Sequence, residues 1–236
     1  MPPSAVRKAH RNRLLKALAA ADLELLEPHF EFREFPLRQV FEEPHRPIKY
    51  VYFIEQGLAS VVANGPGTRS IEVGLIGREG VTGVPVLIGG DRSPHDTYAQ
   101  IAGSAHRMPA SALREAMAAS ATLRTALLSF VHTFMVQTAQ TALANGRANL
   151  EERLARWILM ARDRADGDDL PLTHEFLSIM LGVRRPGVTV TIRSLERRGL
   201  VQAKRGSISL LDRPGLTKVA GTSYGVPEAE YRRLIG

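Results

Sequence analysis

The sequence predicts an α+β chain in three parts: an N-terminal antiparallel β-roll (jelly-roll-like), a long helix, and a C-terminal winged helix-turn-helix. Three observations carry this. From Phe30 to about Met108, short β-rich runs alternate with turn chemistry and no helical pattern intervenes. Apolar residues then recur at four–three spacing from Thr122 to Ala144. Between Leu170 and Leu211, two helical patterns meet at a glycine and lead into a basic hairpin.

The 236 residues suffice for one large domain or two modest ones with their own cores. A hydrophobic fraction of 44% and a charged fraction of 23% are those of an ordinary globular chain. The absence of cysteine excludes disulfides, thiolate catalysis, iron–sulfur ligation and cysteine-based zinc sites. The basic start (Arg7, Lys8, His10, Arg11, Arg13) carries no signal-like apolar run. No stretch approaches the roughly 18 apolar residues of a membrane span. A cytoplasmic protein without membrane association is expected.

Taking the elements in order, Leu14, Leu15, Leu18, Leu23, Leu25 and Leu26 suit one or two short helices over 11–26. Ile48–Ile54, Ala59–Ala63 and Ser70–Ile76 read as strands, and Asn64-Gly65-Pro66-Gly67 as a hairpin turn between two of them. Ser111–Met117 reads as a brief helix. In the long helix, Leu123, Leu127, Phe130, Phe134, Gln137, Thr141 and Ala144 form one stripe, and Leu128, Val131 and Met135 a second beside it. One stripe satisfies a surface helix, whereas two suggest a helix between its own β-roll and a second subunit. The first stripe (Leu123, Leu127, Phe130, Phe134, Thr141) is taken as the dimer seam; a helix buried within one chain is the alternative. Asn145-Gly146 interrupts the pattern, and Asn149 with Glu152 forms a capping-box-like start for a helix carrying Leu150, Leu154, Trp157, Ile158 and Ala161. Asp166-Gly167-Asp168-Asp169 closes that helix. The expected organisation is a β-roll sensor over 1–121, a dimerisation helix over 122–144, a hinge over 145–149 and the winged domain over 150–236.

The last segment carries the chemistry. Thr173 is a natural N-cap ahead of Phe176, Leu177 and Met180, and Gly182 follows where a tight turn needs positive φ. A second helix from Arg184 to Arg198 presents Val188, Ile192 and Leu195 inward and tolerates Pro186 in its first turn; Gly199 ends it. Leu200–Ala203 and Ile208–Leu211 flank Lys204-Arg205-Gly206-Ser207 as a two-stranded hairpin with a basic tip. From Gly182 to Arg205 there are seven basic residues and one acidic, Glu196, a density that suits a polyanion and otherwise marks a solvated face. Entering a major groove N-terminus first, this helix would bring Arg184 and Arg185 to base edges, where arginine can donate two bonds to guanine. Thr189 and Arg193 lie away from the apolar face, Thr173 is placed for a phosphate, and Lys204 and Arg205 would meet backbone phosphate. Double-stranded DNA is the expected partner.

With these residues the chain resembles the Crp/Fnr superfamily of bacterial transcription regulators over nearly its whole length. Tyr50-Val51-Tyr52-Phe53-Ile54-Glu55-Gln56-Gly57 resembles an early β-roll strand, and Thr173 to Leu195 resembles the DNA-binding helices without a gap. The resemblance implies a homodimer through the long helix, a palindromic operator, and activation or repression of transcription with RNA polymerase as a partner. Two departures matter. Of the Arg, Glu and Arg with which many members read bases, only Arg185 remains; Pro186 and Val190 occupy the other places. Of the phosphate-binding cassette of cyclic-nucleotide binders, the Glu position holds Val84, and Arg92 is followed by Ser93-Pro94-His95 rather than the usual small residues. Val84, Arg92, His95 and Thr138, the last matching a base-contacting threonine, mark where an effector pocket would lie. Cyclic AMP is not the expected effector, and no cofactor is implied.

The seven histidines (His10, His29, His45, His95, His106, His132, His174) show no pair at metal-ligand spacing, so no metal site is expected. Gly77-Arg78-Glu79-Gly80 lacks a P-loop lysine and reads as a β-turn. A cyclic-nucleotide module acting through protein partners would need the missing cassette and no basic helix. A cupin-like enzyme would need histidines and a carboxylate clustered on strands, so no enzymatic activity is expected.

Overall fold

The computed structural model describes residues 10–65, 70–165, 167 and 169–236. Arg7 and Lys8 of the basic start, Pro66-Gly67 of the hairpin turn, and Asp166 and Asp168 of the polar turn lie outside these residues.

Two short helices open the described chain, α1 (Arg13–Ala17) and α2 (Ala20–Leu26). Asn12 caps the first by accepting from Leu15 N. Strands β1 (Glu31–Phe35), β2 (Val40–Glu42), β3 (Tyr50–Asn64), β4 (Ser70–Ile76) and β5 (Asp96–Pro109) form one antiparallel sheet, in the order β1-β5-β3-β4 with β2 on β5. The runs expected as separate strands at Ile48–Ile54 and Ala59–Ala63 fall largely in one long strand, β3. It pairs β5 from Tyr50↔Pro109 to Val62↔Asp96, and its register shifts between Ile54 and Gln56 and again before Ala59. Bulges of this kind bend a strand without ending it. Gly57, at φ +85°, makes the bend possible: a Cβ there would stand 2.6 Å from the Ile101 carbonyl oxygen.

A one-turn helix α3 (Val84–Leu87) bridges the sheet to α4 (Ala110–Ala119) and the long α5 (Ala121–Arg147). Leu123 and Leu127 are fully buried, and Phe130 and Val131 nearly so, in the core that also holds Val51, Phe53, Ile54 and Met108. This corrects the expected dimer seam. Leu123, Leu127 and Phe130 face the chain's own β-roll, the ring of Phe134 lies against Gly74 of β4, and Thr141 accepts a hydrogen bond from Arg156. The apolar residues α5 leaves exposed are Leu128, Met135 (63% exposed) and Leu143, with Ala139 and Ala142 between them. Asn145-Gly146 does not break the helix, which runs on to Arg147, so Ala148 and Asn149 are all that remain of the expected hinge.

Helix α6 (Leu150–Arg164) starts with the full capping box: Asn149 accepts from Glu152 N, and the Glu152 carboxylate accepts from Asn149 N. Then come β6 (Asp169–Leu170), α7 (His174–Met180), α8 (Arg185–Arg197), β7 (Val201–Lys204) and β8 (Ser207–Leu210). Two further helices, α9 (Arg213–Ala220) and α10 (Val226–Leu234), were not anticipated. A second core joins Leu154, Trp157, Ile158, Leu177, Val188, Ile192, Leu195 and Ile208 to Leu58, Val62, Leu75 and Ile101 of the sheet. The C-terminal domain therefore packs on its own β-roll. Among the described residues, no helix is long and apolar enough to cross a membrane.

Candidate nucleic-acid interface

Local signals build the surface formed by α7, α8 and the wing. The Thr173 hydroxyl accepts from Phe176 N at 3.2 Å, and its own proton can still be donated. Gly182 adopts φ +61° and turns the chain from α7 into α8. Val188, Ile192 and Leu195 are fully buried, and Leu177 and Met180 meet them from α7. Gly199 (φ +67°) releases the chain into the wing, and Gly206 (φ +81°) sits at its tip. The wing is a sheet of three strands, β6-β8-β7, because Leu170 pairs with Ile208. That third strand was missed, since two residues leave no periodicity to read.

The polar side of this frame is cationic and available. Thr173, Arg184, Arg185, Arg193, Lys204 and Arg205 are all exposed. The five cations form no ion pair among the described residues, whereas Arg198 is engaged by Glu151. Thr189 is half-buried and committed, with its Oγ1 3.2 Å from the Arg185 carbonyl oxygen and 3.0 Å from His174 Nδ1. Val190 is 64% exposed in the middle of the same face. Sequence reasoning treated it only as a lost arginine, yet an exposed valine in a major groove is suited to a thymine methyl.

The effector residues fall apart. Val84 starts α3, Thr138 donates to Phe134 O, and the guanidinium of Arg92 donates twice to its neighbour Asp91, at 2.8 and 2.9 Å. His95 is half-buried in the loop before β5. None of the four lines the cavity of about 180 Å³ where the β-roll, α5, α6 and α10 meet. That cavity is walled by Phe130, Phe134, Gln137, Arg164, Glu228 and Tyr231.

Buried polar contacts surround the cavity and fix the C-terminal domain on the roll. Arg164 Nε donates to Glu79 at 2.8 Å, and Gln137 holds both the N–H and the C=O of Leu75. Burial opposes the charge on Arg164, but Glu79 and Glu228 outweigh it and leave its pKa raised. Arg156, buried without so close a carboxylate, is lowered to about 10. Trp157 Nε1 donates to Glu72 at 2.6 Å; burial nonetheless raises the Glu72 carboxyl to about 7 against that bond and one from Ser60.

Residues 152–219 match the sequence model of the Crp-like helix-turn-helix domain. The C-terminal segment is a Crp-like helix-turn-helix domain. No curated protein sequence gives a significant match to the chain. Among solved structures, FixK2 of Bradyrhizobium japonicum superposes with a TM-score of 0.71 at 18% identity, over 82% of this chain and 98% of its own. A CRP-family transcriptional regulator of Thermus thermophilus gives 0.66 at 20% identity, over 82% and 98%. The c-di-GMP-responsive global regulator CLP of Xanthomonas campestris gives 0.64 at 17% identity, over 82% and 100%. At such identities the likeness establishes a fold: the β-roll, long helix and Crp-like helix-turn-helix domain of Crp/Fnr transcription regulators.

One further grouping joins residues that chain spacing kept apart. His10, Glu55 and His106 converge so that one ligand atom from each lies within 4.8 Å of the others. The expectation of no metal site rested on sequence spacing, which does not reach a grouping of this kind. Sequence spacing finds ligands on one helix or in one loop, and these three come from distant segments.

Proposed function

We propose that the chain is a sequence-specific DNA-binding transcription regulator of Crp/Fnr type. It acts without enzymatic activity, in the cytoplasm, as a homodimer on a palindromic operator, with RNA polymerase as its further partner. The observation that carries this reading is the row of exposed cations that form no ion pair among the described residues, Arg184 capping α8, Arg185 and Arg193 on it, and Lys204 and Arg205 on the wing, held over a Crp-like helix-turn-helix frame. Arg185 and Val190 contact base edges, Arg184 and Arg193 contact bases or flanking phosphates, and Thr173, Lys204 and Arg205 contact phosphate. Thr189 acts mainly by fixing His174 and the first turn of α8. With Pro186 and Val190 where many family members carry Glu and Arg, the operator differs from the best-known family consensus.

The dimer seam runs along the exposed stripe Leu128, Met135, Ala139 and Ala142, flanked by Leu143. Its small residues allow two copies of α5 to approach closely. The effector is not cyclic AMP. Val84 has no carboxylate for a ribose hydroxyl, and Arg92 is already paired with Asp91. Selection of bound sequences from random duplex DNA, followed by footprinting, tests the reading. A recovered palindrome protected on both half-sites is expected; the absence of any enriched sequence would refute it.

A further inference from the structure

We propose that His10, Glu55 and His106 form a site for a divalent transition-metal ion, zinc being the ion the donor set fits best. Three segments bring the ligands together. His10 lies just ahead of α1 and His106 on β5, opposite Phe53 of β3. Glu55 follows Phe53 by two residues on β3, just before the register shift, so strand alternation puts its side chain on the same side as His106. The side chains of His10, Glu55 and His106 are 8%, 6% and 12% exposed.

The spacing suits an ion. His10 Nδ1 and His106 Nε2 each lie 3.5 Å from Glu55 Oε1. Bonds of about 2.0–2.1 Å in tetrahedral geometry separate neighbouring ligand atoms by about 3.3 Å. Glu55 Oε1 and His10 Nδ1 are buried, and neither makes a hydrogen bond among the described residues. A buried carboxylate oxygen that accepts no hydrogen bond is costly, and a cation bound between it and the two imidazoles removes that cost.

The surroundings orient the ligands as an ion requires. Glu55 Oε2 accepts from the backbone N–H of Arg11 and of Asn12, which leaves Oε1 facing the two imidazoles. Glu27 Oε1 stands 3.5 Å from His10 Nε2, so the ring proton is drawn to Nε2 and Nδ1 presents its lone pair. Phe30 stacks on the His106 ring at 5.1 Å and holds its plane. Asn12 Nδ2 donates to Ile54 O and Gly80 O, both at 2.8 Å, so the neighbouring backbone is pinned with or without an ion. Two imidazoles and one carboxylate are borderline-hard donors that favour zinc over soft monovalent metals. They leave a fourth position for water or a small ligand. An ion here would tie the N-terminal segment to the β-roll.

The test uses the full-length, untagged protein, stripped by chelator and titrated with Zn²⁺ by calorimetry, with Co²⁺ as a spectroscopic probe. One ion per chain at micromolar affinity or tighter is expected, with the visible bands of low-coordinate cobalt. His10→Ala and Glu55→Gln should each weaken binding at least tenfold and abolish those bands, and Zn²⁺ should raise the melting temperature of the wild type only. His10 belongs to no helix or strand, so His10→Ala stays informative if Glu55→Gln does not fold. No stoichiometric binding by the wild type, or equal affinity in a folded His10→Ala protein, overturns the proposal.

Discussion

Glu72→Gln should remove a pH dependence of stability that the wild type carries. Glu72 is buried between the sheet and α6, and burial raises its carboxyl from 4.5 to about 7, although Ser60 and Trp157 both donate to it. Below about pH 4.5 the folded and unfolded chains both hold the proton, and the group contributes no slope. Between that pH and about 7 the unfolded chain has released its proton while the folded chain keeps it, so stability falls as pH rises. Above about 7 the loss is complete. The displacement of the pKa corresponds to about 3 kcal/mol. Glutamine is nearly isosteric with the neutral acid and still offers an oxygen to Trp157, so the variant should follow the wild type at low pH without sharing its decline. Trp157 is the only tryptophan and touches Glu72 directly, which makes its fluorescence a local probe of urea unfolding. Measured from about pH 5 to about pH 8, the stability of wild type relative to variant should fall by about 2–3 kcal/mol. Parallel curves would refute the assignment of a buried neutral carboxyl.

Arg185→Ala should cost about 1–3 kcal/mol on the selected operator and flatten preference at one base position, as read by anisotropy on single-base variants. Lys204→Ala should weaken all sequences alike and lower the salt slope by about one; uniform losses in both would break the division into base and phosphate contacts. Met135→Asp should leave the fold intact and give a monomer in sedimentation, whereas Phe134→Asp should lower stability by striking the packing against Gly74; a wild type already monomeric at about ten micromolar would end the dimer reading. A Cβ on Gly80 would overlap the Phe130 ring, so Gly80→Ala should cost about 1–3 kcal/mol in urea unfolding, with recovery in the double variant with Phe130→Leu. Calorimetric titration with cyclic AMP should show no low-micromolar binding, and tight binding coupled to better operator affinity would overturn that expectation.

What could be read in the sequence was written within a few residues. The Asn149–Glu152 box, the Thr173 cap, the turn at Gly182 and the stop at Gly199 are each decided by their own neighbours, and all stand where the sequence put them. The end of α5 was misplaced because a local signal met a tertiary one: Asn145-Gly146 weakens a helix, but Ala144 is buried and packing carries the helix past it. The dimer stripe was misassigned for a related reason. Two adjacent apolar stripes say that a helix has two neighbours, not which neighbour each stripe faces. Helices α9 and α10 escaped notice although Asp212 caps α9 and Pro227 sits in the first turn of α10, cues that lacked an apolar period long enough to support them. The His10–Glu55–His106 cluster was illegible altogether, because its members come from the segment before α1, from β3 and from β5, and only the pairing and packing of those segments bring them together.

The junction between the two domains bears on how such a molecule reads DNA. Arg164 meets Glu79 from the turn after β4 and, at 3.5 Å, Glu228 from α10. Tyr231 of α10 donates to Glu79 O, and Arg156 of α6 reaches Ser223 O and Thr141 of α5. These groups are mostly out of water, and a buried charge that loses its partner is strongly disfavoured. Such contacts add little adhesion compared with an apolar surface, but they tolerate little displacement, so they fix orientation. The Trp157–Glu72 bond and the packing of Leu154 and Ile158 on the sheet act in the same direction. In each chain, then, α8 stands at a set angle and distance from α5. For a dimer with its two-fold axis along α5, that angle and distance determine how far apart the two copies of α8 lie and which way they point. Under the proposed dimer, the spacing of the operator half-sites would follow from the junction held by Glu79, Arg164 and Gln137, and the bases within each half-site from Arg185 and its neighbours.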